Sequence, residues 1–303
     1  MRQILLSFAL IFFSAVAAAA NIARIDIVIT AANPRLEELA QAVQHELQKQ
    51  IKDLPITIHT NVEPEITAAS HALLINIDEQ LLPWTYSEKN YYAATINFYV
   101  NSTHLNADKR DDGKVTALYR DQPLTRQLAL AKLLIPHLRK VAVLYDRALP
   151  FLPTQLQHER SVEIDAITIH DAPDWAKSLS QTMQSSDVLL GIDDPLVYNS
   201  NTIRSILLTT YRHGKGLIGP SRTFVNAGSL ASCYTSPDQY LQQLVEMVSV
   251  AVREHRLPHP QYPNRFYVAI NKQVANSLNL LIPDENTLSA RMQNQNGECG
   301  DGC

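Results

Sequence analysis

Asp78, Asp146 and the adjacent pair Asp193-Asp194 each stand directly behind a short apolar run that reads as a β-strand. A carboxylate held at a strand end can grip a ligand ammonium group through charge-assisted hydrogen bonds. Asp193-Asp194-Pro195 reads equally well as a turn or a helix cap. Ser221 follows Gly219-Pro220 at a helix start, where free backbone N–H groups suit an anionic group. The Arg222 fork beside it matches a carboxylate, although the pattern sends Arg222 toward solvent. Tyr119 and Tyr234 sit where the chain leaves one strand-helix series for another. An aromatic ring there stacks on a flat or cationic ligand or packs within the joint. Asn33, after the first strand, is a helix cap first and a ligand contact second. The candidate ligand-binding residues are therefore Asn33, Asp78, Tyr119, Asp146, Asp193, Asp194, Ser221 and Tyr234.

Other chemistries lack their residues. The 303-residue chain has no G-x-S-x-G, no H-E-x-x-H and no P-loop, and no cofactor or metal motif is expected. His213 with Asp193-Asp194 is a weak hydrolase-like set. A secreted α/β enzyme stays open as the least favoured class. Net charge is −4 with no basic block, so nucleic acid is not an expected partner.

The elements that carry these residues alternate. Residues 22–30, 56–60 and 72–77 read as strands, with an amphipathic helix from Pro34 to about Ile51 whose stripe is Leu36, Leu39, Val43 and Leu47. Residues 91–100 and 115–119 continue the strands. A second series has strands at 140–145, 161–169 and 187–191, a short apolar run at Leu217 and Ile218 that ends at Gly219-Pro220, and a strand at 229–234, with helices over 123–138, 174–184 and 199–213. A long amphipathic helix over 237–253, a proline-rich joint (257–263), a strand (265–270) and a short helix (272–278) follow. This is the α/β pattern of two Rossmann-like lobes, with a hinge and a cleft faced by the strand ends of both. The expected division is residues 21–119 plus about 236–260 for the first lobe and 120–235 plus about 264–288 for the second. Residues 289–303 turn polar and Gly-rich and are expected to be a flexible tail.

Residues 1–20 read as a cleavable signal peptide: Arg2, an apolar run over 4–16, then Ala17 to Ala20. Export to a Gram-negative periplasm follows. Of three cysteines, Cys233 falls in a strand and is expected to be buried. Cys299 and Cys303 lie near the C-terminus and suit a local disulfide.

Four segments carry a family resemblance: V-T-A-L-Y-R-D-Q-P-L-T-R-Q-L-A-L-A-K-L-L-I-P (115–136), K-V-A-V-L-Y-D (140–146), G-P-S-R-T-F-V-N-A-G-S-L-A-S-C-Y (219–234) and V-A-I-N-K-Q-V-A-N-S-L-N-L-L-I-P (268–283). Together they resemble the substrate-binding proteins of tryptophan/tyrosine-type ABC importers, which have the type I periplasmic-binding-protein fold. The first lobe matches in layout. Ala117 stands where that family usually has Gly, and residues 97–101 replace its Asp-Pro loop. The resemblance implies a non-enzymatic periplasmic protein that closes two lobes on an amino acid or similar small polar ligand and delivers it to an ABC permease. It places the Ser221 loop at the cleft. The alternative is a ligand-sensing subunit serving a histidine kinase or an outer-membrane uptake system. A monomer is expected in either case.

Overall fold

The computed structural model describes residues 22–30, 33–60, 70–104, 113–146, 156, 159–169 and 175–298. The expected signal peptide and both C-terminal cysteines lie outside the described residues, as do Asp171 and Asp174, the two alternative caps that the sequence offers for the 174–184 helix.

Two sheets form, each with its own core. The first has the order β2-β1-β3-β4-β5, built from β1 (Arg24–Ile29), β2 (Ile56–Thr60), β3 (Ala72–Asn76), β4 (Ala94–Val100) and β5 (Val115–Tyr119), all parallel. The register sets Ile27 against both Ile58 and Ile75. The central strands are buried on both faces, which explains their near-continuous Ile, Leu and Val content. Helix α1 (Pro34–Gln50) is opened by Asn33, whose side chain accepts from the Arg35 N–H at 3.1 Å, with Pro34 in the first helical position. Its Ala40, Val43 and Leu47 enter the core beneath β1. A short helix, α2 (Leu82–Thr85), follows β3.

The second sheet has the order β11-β10-β9-β8-β6-β7. It contains β6 (Lys140–Tyr145), β7 (Glu163–Thr168), β8 (Val188–Leu190), β9 (Gly216–Ile218), β10 (Ala231–Tyr234) and β11 (Tyr267–Ile270). Only β11 runs antiparallel. Its helices are α3 (Leu124–Leu134), α4 (Trp175–Ser185), α5 (Ile203–Arg212) and the short α6 (Arg222–Ala227). Gly228, at φ 120°, ends α6 in a conformation that disfavours a side chain.

Helix α7 (Pro237–Glu254) then returns to the first lobe. Ser236 and Gln239 form a capping box at its start, and Tyr240, Leu244, Met247, Val248 and Ala251 join the first core. The proline-rich joint is ordered beside β5. Gln261 donates to the Ala117 carbonyl (2.9 Å) and its own carbonyl accepts from Tyr119 (3.0 Å), one rung of a parallel ladder. The chain then crosses again to β11 and helix α8 (Lys272–Ser277).

One expectation is corrected. Residues 285–298, most of them assigned to a flexible tail, form helix α9 (Glu285–Glu298). Asp284 accepts from the N–H groups of Asn286 and Thr287 (both 3.0 Å), and Leu288 and Met292, one turn apart, are buried in the second core. Ser289 accepts from the Val268 N–H (2.9 Å) and Gln293 donates to the Phe266 carbonyl (2.8 Å). Polar composition concealed a narrow apolar stripe that suffices because the sheet supplies its other half.

Candidate functional site

The strand ends of both lobes meet at one charged cluster. Glu79, just beyond β3, receives the Asn101 N–H (2.6 Å) and Arg120 Nη1 (2.8 Å), and its second oxygen lies 3.1 Å from His104 Nδ1. Arg120, the residue after β5, also gives Nε to Asp193 Oδ2 in the second lobe (2.8 Å). Asn101, after β4, donates Nδ2 to the Asp193 carbonyl (2.6 Å) and to its Oδ2 (3.2 Å). Burial works against the Arg120 charge, yet Asp193 and Glu79 outweigh it and hold the guanidinium above its usual pKa.

Tyr99 lies beside this cluster. It sits at a register shift between β4 and β5, with φ 61°, and its ring meets Tyr240 edge-on at 5.1 Å. Positive φ is rare for so large a residue, and the bulge turns the ring out of the strand's alternation. Burial raises the Tyr99 pKa; nearby Arg120 lowers it and Asp193 raises it.

Behind the cluster the crossings are laced together. Gln122 donates to Thr235 Oγ1 (3.0 Å), which donates to the Arg265 carbonyl (2.9 Å), so all three crossings share one hydrogen-bonded chain. Arg126 caps the Phe266 ring at 4.1 Å and donates to Gln122 Oε1 (2.5 Å). Asp121 is buried and accepts from the Ser102 N–H (2.7 Å) and hydroxyl (2.6 Å). The Tyr262 hydroxyl donates to Ser102 Oγ (3.0 Å). Burial pushes the Asp121 pKa up to about 6; the Ser102 hydrogen bonds pull it down and Asp193 adds to the rise.

The candidates from sequence occupy different roles. Asp193 reaches across the lobes. Tyr119 packs against Tyr262 at 4.8 Å within the hinge. Tyr234 meets Arg222, whose guanidinium lies over its ring at 5.1 Å and donates to its hydroxyl at 3.0 Å. Asp194 and Asp146 are brought together: the Asp146 N–H donates to Asp194 Oδ2 (2.9 Å), and Asp194 Oδ1 caps the following turn at Leu196 (3.0 Å). Asp78 is buried, accepting from the Thr30 N–H (3.1 Å), the Thr30 hydroxyl and the Gln80 N–H (2.9 Å). It thereby ties the end of β1 to the end of β3. Asn33 is a cap on an exposed helix start. Ser221 precedes α6 without a side-chain capping bond.

Glu79, Asn101, Arg120 and Asp121 were missed. Arg120 and Asn101 were open to the same test that picked out Asp78 and Asp146, since each directly follows a strand. Glu79 and Asp121 carry no such signal beyond lying one residue farther along. Gly219 has a packing reason for its identity: a Cβ there would sit 2.7 Å from Phe224 Cβ and 2.8 Å from Ser229 Oγ. Gly219→Ala is expected to destabilise by about 1–3 kcal/mol, read as a lowered urea midpoint.

Cys233 is fully buried, and burial pushes its thiol up to about 12 despite nearby Arg126. We expect no modification of Cys233 by a thiol reagent at neutral pH in the native protein and full modification after denaturation, read by peptide mass mapping. His213 does not approach Asp193-Asp194. Its Nε2 lies 2.9 Å from Ser180 Oγ, and it precedes β9, at the amino end of the sheet rather than at the cluster.

No protein-family model and no curated protein matches this chain. Solved structures do. The fold is similar to that of a substrate-binding protein with adhesive properties from Clostridium difficile in its ligand-free, open form, with TM-score 0.62 and 14% identity over 87% of this chain and 97% of that one. It is similar to an ABC domain from Streptococcus pneumonia in complex with L-Trp: TM-score 0.55, 15% identity, 87% and 96% covered. It is also similar to a periplasmic ribose ABC transporter protein from Conexibacter woesei: TM-score 0.52, 13% identity, 86% and 96% covered. With its two α/β lobes and three crossings, the chain has the type I periplasmic-binding-protein fold.

Proposed function

We propose that this protein is an exported, non-enzymatic solute-binding protein that traps a small polar ligand between its lobes and delivers it to an ABC permease. One observation carries the reading: residues beyond the carboxyl ends of β4, β5 and β8 converge across a three-stranded hinge. That is where open α/β sheets bind ligands. The solved structures of like fold include an L-Trp complex and a ribose protein, so the ligand class spans amino acids and sugars. The resemblance of residues 115–283 to the tryptophan/tyrosine type favours an amino acid. Closure on a ligand follows from differential affinity for the closed arrangement, and the closed form is what a permease would recognise.

Native mass spectrometry of gently purified protein tests this. A stoichiometric small molecule lost on denaturation is the expected result. An empty protein that also shows no thermal shift with amino acids, sugars, peptides, nucleosides or organic acids overturns it.

A further inference from the structure

The charges of the cleft cluster pair with one another. Arg120 belongs to the hinge, yet its two donors divide between Glu79 of the first lobe and Asp193 of the second, both at 2.8 Å. Asn101 adds two bonds to the same Asp193. Arg120 and Glu79 are each about one quarter exposed and Asp193 about one third, so water competes only in part. Each contact is directional, and together they join the lobes through the Arg120 guanidinium and the Asn101 amide.

We propose that Arg120, held between Glu79 and Asp193, is an ionic clasp that draws the two lobes together. Its consequence for ligand uptake rests on the solute-binding reading above, but the clasp itself does not require a ligand. The clasp makes the interlobe angle of the empty protein depend on ionic strength, because an ion pair one quarter to one third exposed still weakens as salt screens it. A ligand entering the cleft meets charges that are already paired. It must either displace the Asp193 arm or bind beside the clasp. Tyr99, edge-on to Tyr240 and electrostatically coupled to Arg120 and Asp193, stands next to the position this displacement would vacate.

Small-angle X-ray scattering of the ligand-free mature protein, confirmed empty by native mass spectrometry, tests the clasp. The wild type is expected to expand as salt rises from about 0.02 M to about 0.5 M. The expected shift is on the order of 1 Å in a radius of gyration near ~19 Å. Asp193→Asn is isosteric and should give the expanded value at low salt and no further response to salt. Because its backbone carbonyl still holds Asn101 and its amide oxygen still accepts from Arg120, a second variant combining Asn101→Ala with Asp193→Ala removes every contact described here between Asp193 and the first lobe. Circular dichroism checks that both fold. If the double variant scatters like the wild type at low salt, or if the wild type does not respond to salt, the clasp is wrong. Neither result depends on whether a ligand is ever found. Failure of the ligand screen with a working clasp would overturn only the solute-binding reading.

Discussion

Asp26→Ala is expected to lower the unfolding free energy by about 2–4 kcal/mol, measured by urea denaturation at neutral pH. Asp26 lies in the middle of β1 with only 1% of its surface exposed. Its carboxylate accepts from Arg24 Nε at 3.0 and 3.1 Å and from the Tyr92 hydroxyl at 3.1 Å, and lies 3.2 Å from His59 Nε2. Removing it strands a buried phenol and leaves a guanidinium without its counterion. Breaking a fully buried ion pair costs about 3–5 kcal/mol. The expected loss is smaller because the Arg24 and His59 side chains are about one third exposed and can turn toward water. Tyr92→Phe removes one hydrogen bond and should cost about 1 kcal/mol. A loss below that for Asp26→Ala would mean the cluster contributes little.

The second large effect is pH dependence at the hinge. Asp121 is buried, with its folded pKa near 6 against an ordinary value of 3.8, because burial disfavours the charged form. The sign follows directly. The folded state binds this proton more tightly than the unfolded state. The stabilisation is therefore complete below about pH 4 and is lost as pH rises through about 6. Two units correspond to about 3 kcal/mol. Asp121→Asn should match or exceed the wild type in stability above pH 7, since the Asn carbonyl still accepts from the Ser102 N–H. The stability of the wild type relative to the variant should then rise by about 3 kcal/mol between pH 7 and pH 4. Denaturation curves of both proteins across that range measure it, and a difference that stays flat would show that Asp121 titrates normally. Other carboxylates shift both proteins alike, so the comparison isolates this one.

Much of the architecture was legible in the chain. Apolar runs such as K-V-A-V-L-Y mark fully buried parallel strands, and that strand falls at residues 140–145 as read. The stripe of Leu36, Leu39, Val43 and Leu47 marks a helix laid on a sheet, and Pro34 with Asn33 marks where it starts. These signals are local: a period of two or 3.6 residues and a cap are set by neighbours in sequence. Because parallel strands all end at one edge, a polar residue just after a strand can be placed at that edge without knowing its partner. Asp193 was found that way, and Arg120 stood open to the same inference.

Partnership itself was not legible. Arg120 lies 41 residues from Glu79 and 73 from Asp193, and nothing local selects those two carboxylates among the others. Asp78, Asp146 and Asp194 look the same in sequence as Asp193, yet backbone N–H groups near them take up their oxygens or bring two of them together. Residues 285–298 fail as an isolated helix by composition, and become one because Leu288 and Met292 meet the second core. By itself the sequence determined the strands, the helices before residue 285, the two-lobe pattern and the edge at which their polar ends would gather, since each follows from local periodicity and parallel order. Only the tertiary structure decided which charges pair across the lobes and that residues 285–298 dock as a helix, because those choices depend on contacts between residues far apart in the chain.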